Sequence, residues 1–248
     1  MTDDVRTETE AALAAAVDAA ISDSARSDWD QHVAQERVLV ARQGIFTPRL
    51  RPFGYQLSYR TNDPGAPHPA SWGVLQHDRA TAHVLRATFG RSDLESVAHG
   101  RWLFVRCPRA YLVGSLPLPL RPDRLVIEVS DHVEADNDVI AGIRHLRERG
   151  FRVAIPGFIS RPAQRKLLPH ADFVKIDVRD LDVEGRPVVE LARSYGALLV
   201  AEYVESARLL DSALELGFDL LQGNFLERPH ELDRSTARLA WPVAWPVS

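Results

Sequence analysis

The order of apolar and polar positions changes character near residue 38. Before it, Ala11, Ala12, Leu13, Ala15, Ala16, Val17, Ala19, Ala20 and Ile21 give strong helix propensity and a rough apolar stripe. The spacing predicts helix over residues 5–36, interrupted and re-capped at Ser22-Asp23-Ser24. After it, short apolar runs alternate with amphipathic stretches. Val38–Arg42, Gly54–Arg60, Trp102–Val105, Leu125–Val129, Phe151–Ile155, Phe173–Asp177, Ala197–Glu202 and Leu220–Gly223 read as strands. Residues 77–89, 139–149, 161–168, 188–195 and 205–216 read as helices, with Gly150, Gly196 and Gly217 as stop signals. Thr61–Trp72, rich in Pro, Gly, Asn and Asp, reads as a loop.

Strands too apolar to face water, in alternation with helices, imply parallel strands with helices outside. Roughly 200 residues in one such unit predict an α/β fold, a modified TIM-like (β/α)8 barrel, rather than an open sheet. No Gly-x-Gly-x-x-Gly and no phosphate-loop motif follows an early strand, which argues against dinucleotide binding. The expected organisation is an N-terminal helical extension over 1–37, the barrel over 38–230 and a C-terminal tail over 231–248. In the tail a proline follows both Trp241 and Trp245, so a regular helix is excluded; the two rings either cap the barrel or anchor a partner.

Composition narrows the function classes. The 248 residues are 45% hydrophobic and 26% charged, as in an ordinary globular protein. A formal charge of -4 leaves no basic footprint for nucleic acid. The single cysteine, Cys107, excludes a disulfide framework and a cysteine zinc site and reads as a core residue. There is no apolar run long enough to span a membrane, and Asp3 and Asp4 stand where a secretory signal would be basic, so a cytoplasmic protein is expected. Arginine supplies nearly all the positive charge; the only lysines are Lys166 and Lys175. In barrels of this kind chemistry sits at the carboxyl ends of the strands. There stand Gln56 and Arg60, Arg106, Glu128, Pro156-Gly157, Lys175 and Asp177, Glu202, and Gln222. Charged groups converging on one mouth are costly without a purpose, so the set reads as a site or the remnant of one.

Six stretches together resemble the EAL-domain family of cyclic di-GMP phosphodiesterases, most closely the branch usually fused to an HDOD domain. They are Val40-Ala41-Arg42-Gln43-Gly44-Ile45-Phe46, where the branch has proline at Gly44; Gln56-Leu57-Ser58-Tyr59-Arg60, at the signature E-x-L-x-R; Val126-Ile127-Glu128; Val174-Lys175-Ile176-Asp177; Ala201-Glu202-Tyr203-Val204-Glu205; and Gly217 to Gly223. The resemblance covers residues 38–230 and implies two divalent cations, held by carboxylates, that activate water against a phosphodiester. At the implied ligand positions this chain has Gln56 for the glutamate, Arg106 for an asparagine, and Pro156-Gly157 for an Asp-Asp pair. Glu128, Lys175 and Glu202 are retained, and Arg60, Asp177 and Gln222 match ligand contacts. With three carboxylates gone, no magnesium site and no catalysis are expected. Two unit charges at ~4 Å and an effective dielectric near 20 interact by about 4 kcal/mol, so a guanidinium at 106 turned into the pocket would repel a dication. Arg106 either replaces the metal charge toward Glu128 or a ligand phosphate, or pairs a structural acid.

Three functions follow from this resemblance: an inactive regulatory protein that works through a protein partner, a metal-independent cyclic di-GMP receptor using Arg60, Arg106, Asp177 and Gln222, and a residual phosphodiesterase using Lys175 and Glu202. A Lys175–Glu202 ion pair that holds the mouth is expected in preference to the last. The family also implies a homodimer.

Overall fold

A computed structural model describes residues 39–60, 71–90, 93–179 and 181–233. The expectations for residues 1–38, for most of the 61–72 loop and for Trp241 and Trp245 lie outside the described residues. The strands are β1 (Leu39–Phe46), β2 (Pro52–Arg60), β3 (Trp102–Cys107), β4 (Leu125–Val129), β5 (Arg152–Ile155), β6 (Phe173–Asp177), β7 (Leu198–Glu202), β8 (Leu220–Leu221) and β9 (His230–Asp233). The helices are α1 (Val74–Phe89), α2 (Leu94–Ala98), α3 (Arg109–Leu112), α4 (Asn137–Glu148), α5 (Pro162–Leu167), α6 (Leu181–Ser194) and α7 (Ala207–Glu215). Among the described residues the first eight strands close into a barrel with the helices outside, and β9 adds to β1.

Parallel pairing runs from β2 to β8, as the alternation implied. The parallel expectation fails for β1, which is antiparallel to both β2 and β8. The reason is the length of the connection. Residues 47–51 form a tight turn, closed by Thr47 N–H to Arg51 O at 2.9 Å, and a parallel crossover needs a dozen residues or more. β1 is also longer than the apolar run that announced it. The closing strands β2, β1 and β9 form an antiparallel ribbon in which Leu39 lies opposite Arg60 on one side and Asp233 on the other. This carries the sheet three residues past the boundary expected at 230.

β4 is buried along all five residues, as expected of a strand covered on both faces. Helix starts follow capping chemistry: Asp136 accepts from Val139 N–H before α4, and Ser206 from Leu209 N–H before α7. α6 is broken at Gly185, which has φ 71°, and Pro187 opens its second part. Two apolar clusters hold the fold. One joins the outer faces of the strands to the helices and includes buried Cys107; the other fills the barrel axis. No helix among the described residues is long and apolar enough to cross a membrane.

Candidate functional site

Side chains along a strand alternate between its two faces. Inward positions therefore recur every second residue, and here they change character at one level. The inner cluster is Ile45, Phe104, Val126, Ala154, Phe173, Val200 and Leu220. One inward step nearer the mouth stand Gln43, Arg106, Glu128, Pro156, Lys175, Glu202 and Gln222, with Gln56 beside them on β2.

Lys175 is the centre of this layer. Its Nζ donates to Gln56 Oε1 and Glu128 Oε2, both at 2.9 Å, and pairs with Glu202 Oε1 at 2.9 Å. Three partners satisfy three ammonium protons, so the buried charge is fully matched. Glu128 has no exposed surface, and its second oxygen, Oε1, accepts from Arg106 Nε at 3.0 Å. Arg106, 48% exposed, reaches on to Asp131 Oδ2 through Nη1 at 3.0 Å. Burial alone would raise the Glu128 carboxyl, but the charges of Lys175 and Arg106 outweigh it and hold the group below its ordinary 4.5. Burial alone would lower the Lys175 ammonium, but Glu128 and Glu202 outweigh that and raise it above 10.5. Both groups are therefore charged across the ordinary pH range. The expected Lys175–Glu202 pair is present, with Glu128 as a third member.

The flanks of the layer are tied by amides. Gln222 Nε2 donates to Gln43 Oε1 at 3.0 Å, and Gln43 Nε2 to Glu227 O at 3.0 Å. The buried Gln222 Oε1 has no partner among the described residues. Gly44 N–H donates to Glu227 Oε1 at 3.1 Å, a bond that proline at this position could not make. Gly157, at φ 49°, donates its amide N–H to Glu202 Oε2 at 3.2 Å, so the Pro156-Gly157 pair offers a backbone donor at this point.

Above the layer opens a cavity of about 480 Å³. Of the positions expected from sequence, Gln56, Arg60, Arg106, Lys175, Glu202 and Gln222 line it. Glu128, Pro156, Gly157 and Asp177 do not. The Asp177 carboxylate accepts from Arg179 two residues on, through the backbone N–H at 2.9 Å, Nε at 3.0 Å and Nη2 at 2.7 Å. The same guanidinium lies 3.9 Å over the Tyr203 ring.

The cavity also recruits side chains that sequence reasoning did not single out: Trp72, His77, Asp131, His132 and Tyr203. Their rings touch in sequence. Tyr59 lies 6.0 Å from Trp72, Trp72 is 5.5 Å from His77, and His77 is 5.5 Å from His132. Asp131 could have been found as an acid two residues past the end of β4. The rings carry no such signal, since they come from the segment before α1, from α1 itself and from the loop after β4. Cys107 is buried and its thiol is pushed up by burial, consistent with a core residue.

The family model described as EAL domain matches residues 116–229. The cyclic di-GMP phosphodiesterase CdgJ of Vibrio cholerae is 29% identical over 198 residues, 77% of this chain and 44% of that protein. The uncharacterized protein YuxH of Bacillus subtilis is 27% identical over 199 residues, 78% of this chain and 47% of that protein. The chain thus spans under half the length of the curated relatives it matches. Among solved structures, the Bacillus subtilis YkuI protein, with an EAL domain in complex with cyclic di-GMP and calcium, superposes with a TM-score of 0.63. It is 19% identical, over 83% of this chain and 57% of that one. Residues 116–229, which carry Glu128, Lys175, Glu202 and Gln222, are thus similar to the EAL domain family, and the fold is that of the solved EAL domain structures.

Proposed function

We propose that this chain is a catalytically inactive EAL domain that regulates bacterial signalling by binding a protein partner. One observation carries the reading: both oxygens of Glu128 are taken, one by Arg106 and one by Lys175. The donor set does not fit a pair of divalent cations. Gln56 gives its carbonyl oxygen to Lys175, Gly157 presents an N–H, and Arg106 brings a positive charge. Among the described residues no group of three or more His, Cys, Asp and Glu side chains could hold a metal. Magnesium needs several hard oxygen ligands, and here the charges already balance without it. For a protein partner, Val74, Leu75 and Leu120 offer apolar surface, 72%, 70% and 67% exposed. The test is incubation with cyclic di-GMP and magnesium, manganese or calcium. No linear dinucleotide is expected; its release, abolished by Glu128→Ala, would restore the phosphodiesterase reading.

A second reading is a metal-independent cyclic di-GMP receptor. It is favoured by the open cavity, the exposed Arg60 on its rim and the unpartnered Gln222 Oε1. Calorimetric titration with cyclic di-GMP, in magnesium and again in a chelator, separates the two. Equal heat in both conditions makes the protein a receptor. No heat in either leaves the outer surface as the working part.

A further inference from the structure

The barrel has a second end, its foot, where the parallel strands begin. There Phe53 and Trp102 pack against the inner cluster from below, and both stay partly exposed. Beneath them lies a hollow of about 370 Å³. It is bordered by the first residues of four strands: Trp102 of β3, Arg152 of β5, Phe173 of β6 and Leu198 of β7. Tyr195 and Leu198 stand on its rim, 47% and 41% exposed. The turn between β1 and β2 lies at the same end and presents Leu50, 54% exposed, at φ 55°. The fold gives no reason for leucine there, because that conformation favours glycine or asparagine and that exposure favours a polar side chain. The charge around the hollow is positive. Asp172 is the one acid that lines it, and Arg147 and Arg152 share it at 3.5 and 2.8 Å, which leaves one positive charge over. Arg49 and Arg51 in the turn and Arg101 before β3 are exposed and form no ion pair among the described residues.

We infer that the foot of the barrel is a docking surface for an acidic segment of a partner protein. An apolar side chain of that segment enters the hollow against Trp102 and Tyr195, and its carboxylates meet the arginines around the rim. Trp, Tyr and Arg are the residue types in which binding energy concentrates at protein interfaces, and arginine meets a carboxylate with two parallel hydrogen bonds. A long polyanion or an anionic bilayer suits the surface less. The formal charge of -4 on the whole chain opposes attraction at long range, whereas contacts inside a Debye length of about 10 Å feel the local arginines. A flat bilayer also leaves the hollow unfilled. The inference rests on the protein-partner reading and adds the surface and the chemistry of the partner. That surface lies at the opposite end of the strands from the ion-pair layer, so docking needs neither Glu128 nor Lys175.

The test is fluorescence anisotropy of the full chain with a labelled peptide of alternating glutamate and leucine. A glutamate–serine peptide and a lysine–leucine peptide serve as controls, and both should bind at least about tenfold more weakly. Arg49→Glu combined with Arg101→Glu should weaken the glutamate–leucine peptide about tenfold, and so should Tyr195→Ala. Arg161→Glu, the same kind of charge change in the loop after β5 at the mouth end, should leave it unaltered. Unchanged thermal melting of the variants confirms that they fold. No binding of the glutamate–leucine peptide, or binding that ignores the variants at the foot, overturns the docking surface and leaves the protein-partner reading to the flank that carries Val74 and Leu75. Equal weakening by Arg161→Glu overturns it too, since net charge alone would then act. Tighter binding of duplex DNA or of phosphatidylglycerol vesicles, lost in the double variant, also overturns it and gives the foot to a polyanion. Release of linear dinucleotide from cyclic di-GMP would overturn the inactive-regulator reading and leave the docking surface standing.

Discussion

Two levels of the same barrel, one inward step apart, are built on opposite principles. At the lower one Phe104 packs edge-on against Phe173 at 5.1 Å, among Val126, Val200 and Leu220. At the upper one Arg106, Glu128, Lys175 and Glu202 form a chain of ion pairs near 3 Å. The lower level needs only volume and apolar surface, and gains from every methylene it removes from water. The upper level buries charge, which costs solvation and is tolerable only while each group keeps its partners. An apolar level specifies stability, whereas a buried ionic level specifies a function or the trace of one.

The comparison can be broken most forcefully from below. Phe104→Ala should destabilise by about 3–5 kcal/mol in urea denaturation, through lost transfer energy and the cavity left behind, with little dependence on pH. Lys175→Met should cost about 3 kcal/mol at neutral pH, because Glu128 loses one of its two cationic partners. This loss has a pH signature. The lowered Glu128 value contributes stability that is present above its ordinary 4.5 and lost as pH falls through the lower folded value. The raised Lys175 value contributes stability that is present below its ordinary 10.5 and lost as pH rises through the higher folded value. The gap between variant and unaltered protein should therefore be widest between those limits and close on acidification; a gap constant to strong acid would mean that Lys175 acts by packing alone. Gly44→Pro should cost about 1–2 kcal/mol by removing the amide donor to Glu227, read as a lowered denaturation midpoint. Arg106→Gln should be the mildest, at about 1 kcal/mol or less, since its guanidinium is half exposed.

Much of the barrel was legible because its strands are buried on both faces and announce themselves as apolar runs. The reversal of β1 was missed in spite of a visible signal, the five residues between Phe46 and Pro52. β9 was missed because His230-Glu231-Leu232-Asp233 is polar and earns its place by pairing with β1, which periodicity cannot report. Within the site, Glu128, Lys175, Glu202 and Gln222 could be placed because strand ends in a barrel share one mouth. The pairing of Asp177 with Arg179 two residues on is a local contact that strand periodicity does not report. The aromatic edge was invisible because Trp72, His77 and His132 meet only in three dimensions.

The pairing of Leu39 with Asp233 has a mechanical consequence. The two ends of the described chain are neighbours across one antiparallel ladder, not at opposite ends of the barrel. Tension applied between them would open the β1–β9 ladder one hydrogen bond at a time from that pair, as a zip opens, instead of shearing all of its bonds together. β9 should therefore peel at low force while β1 stays held by its eight-residue pairing to β2. The barrel would then behave under load as a firm body with one detachable strand.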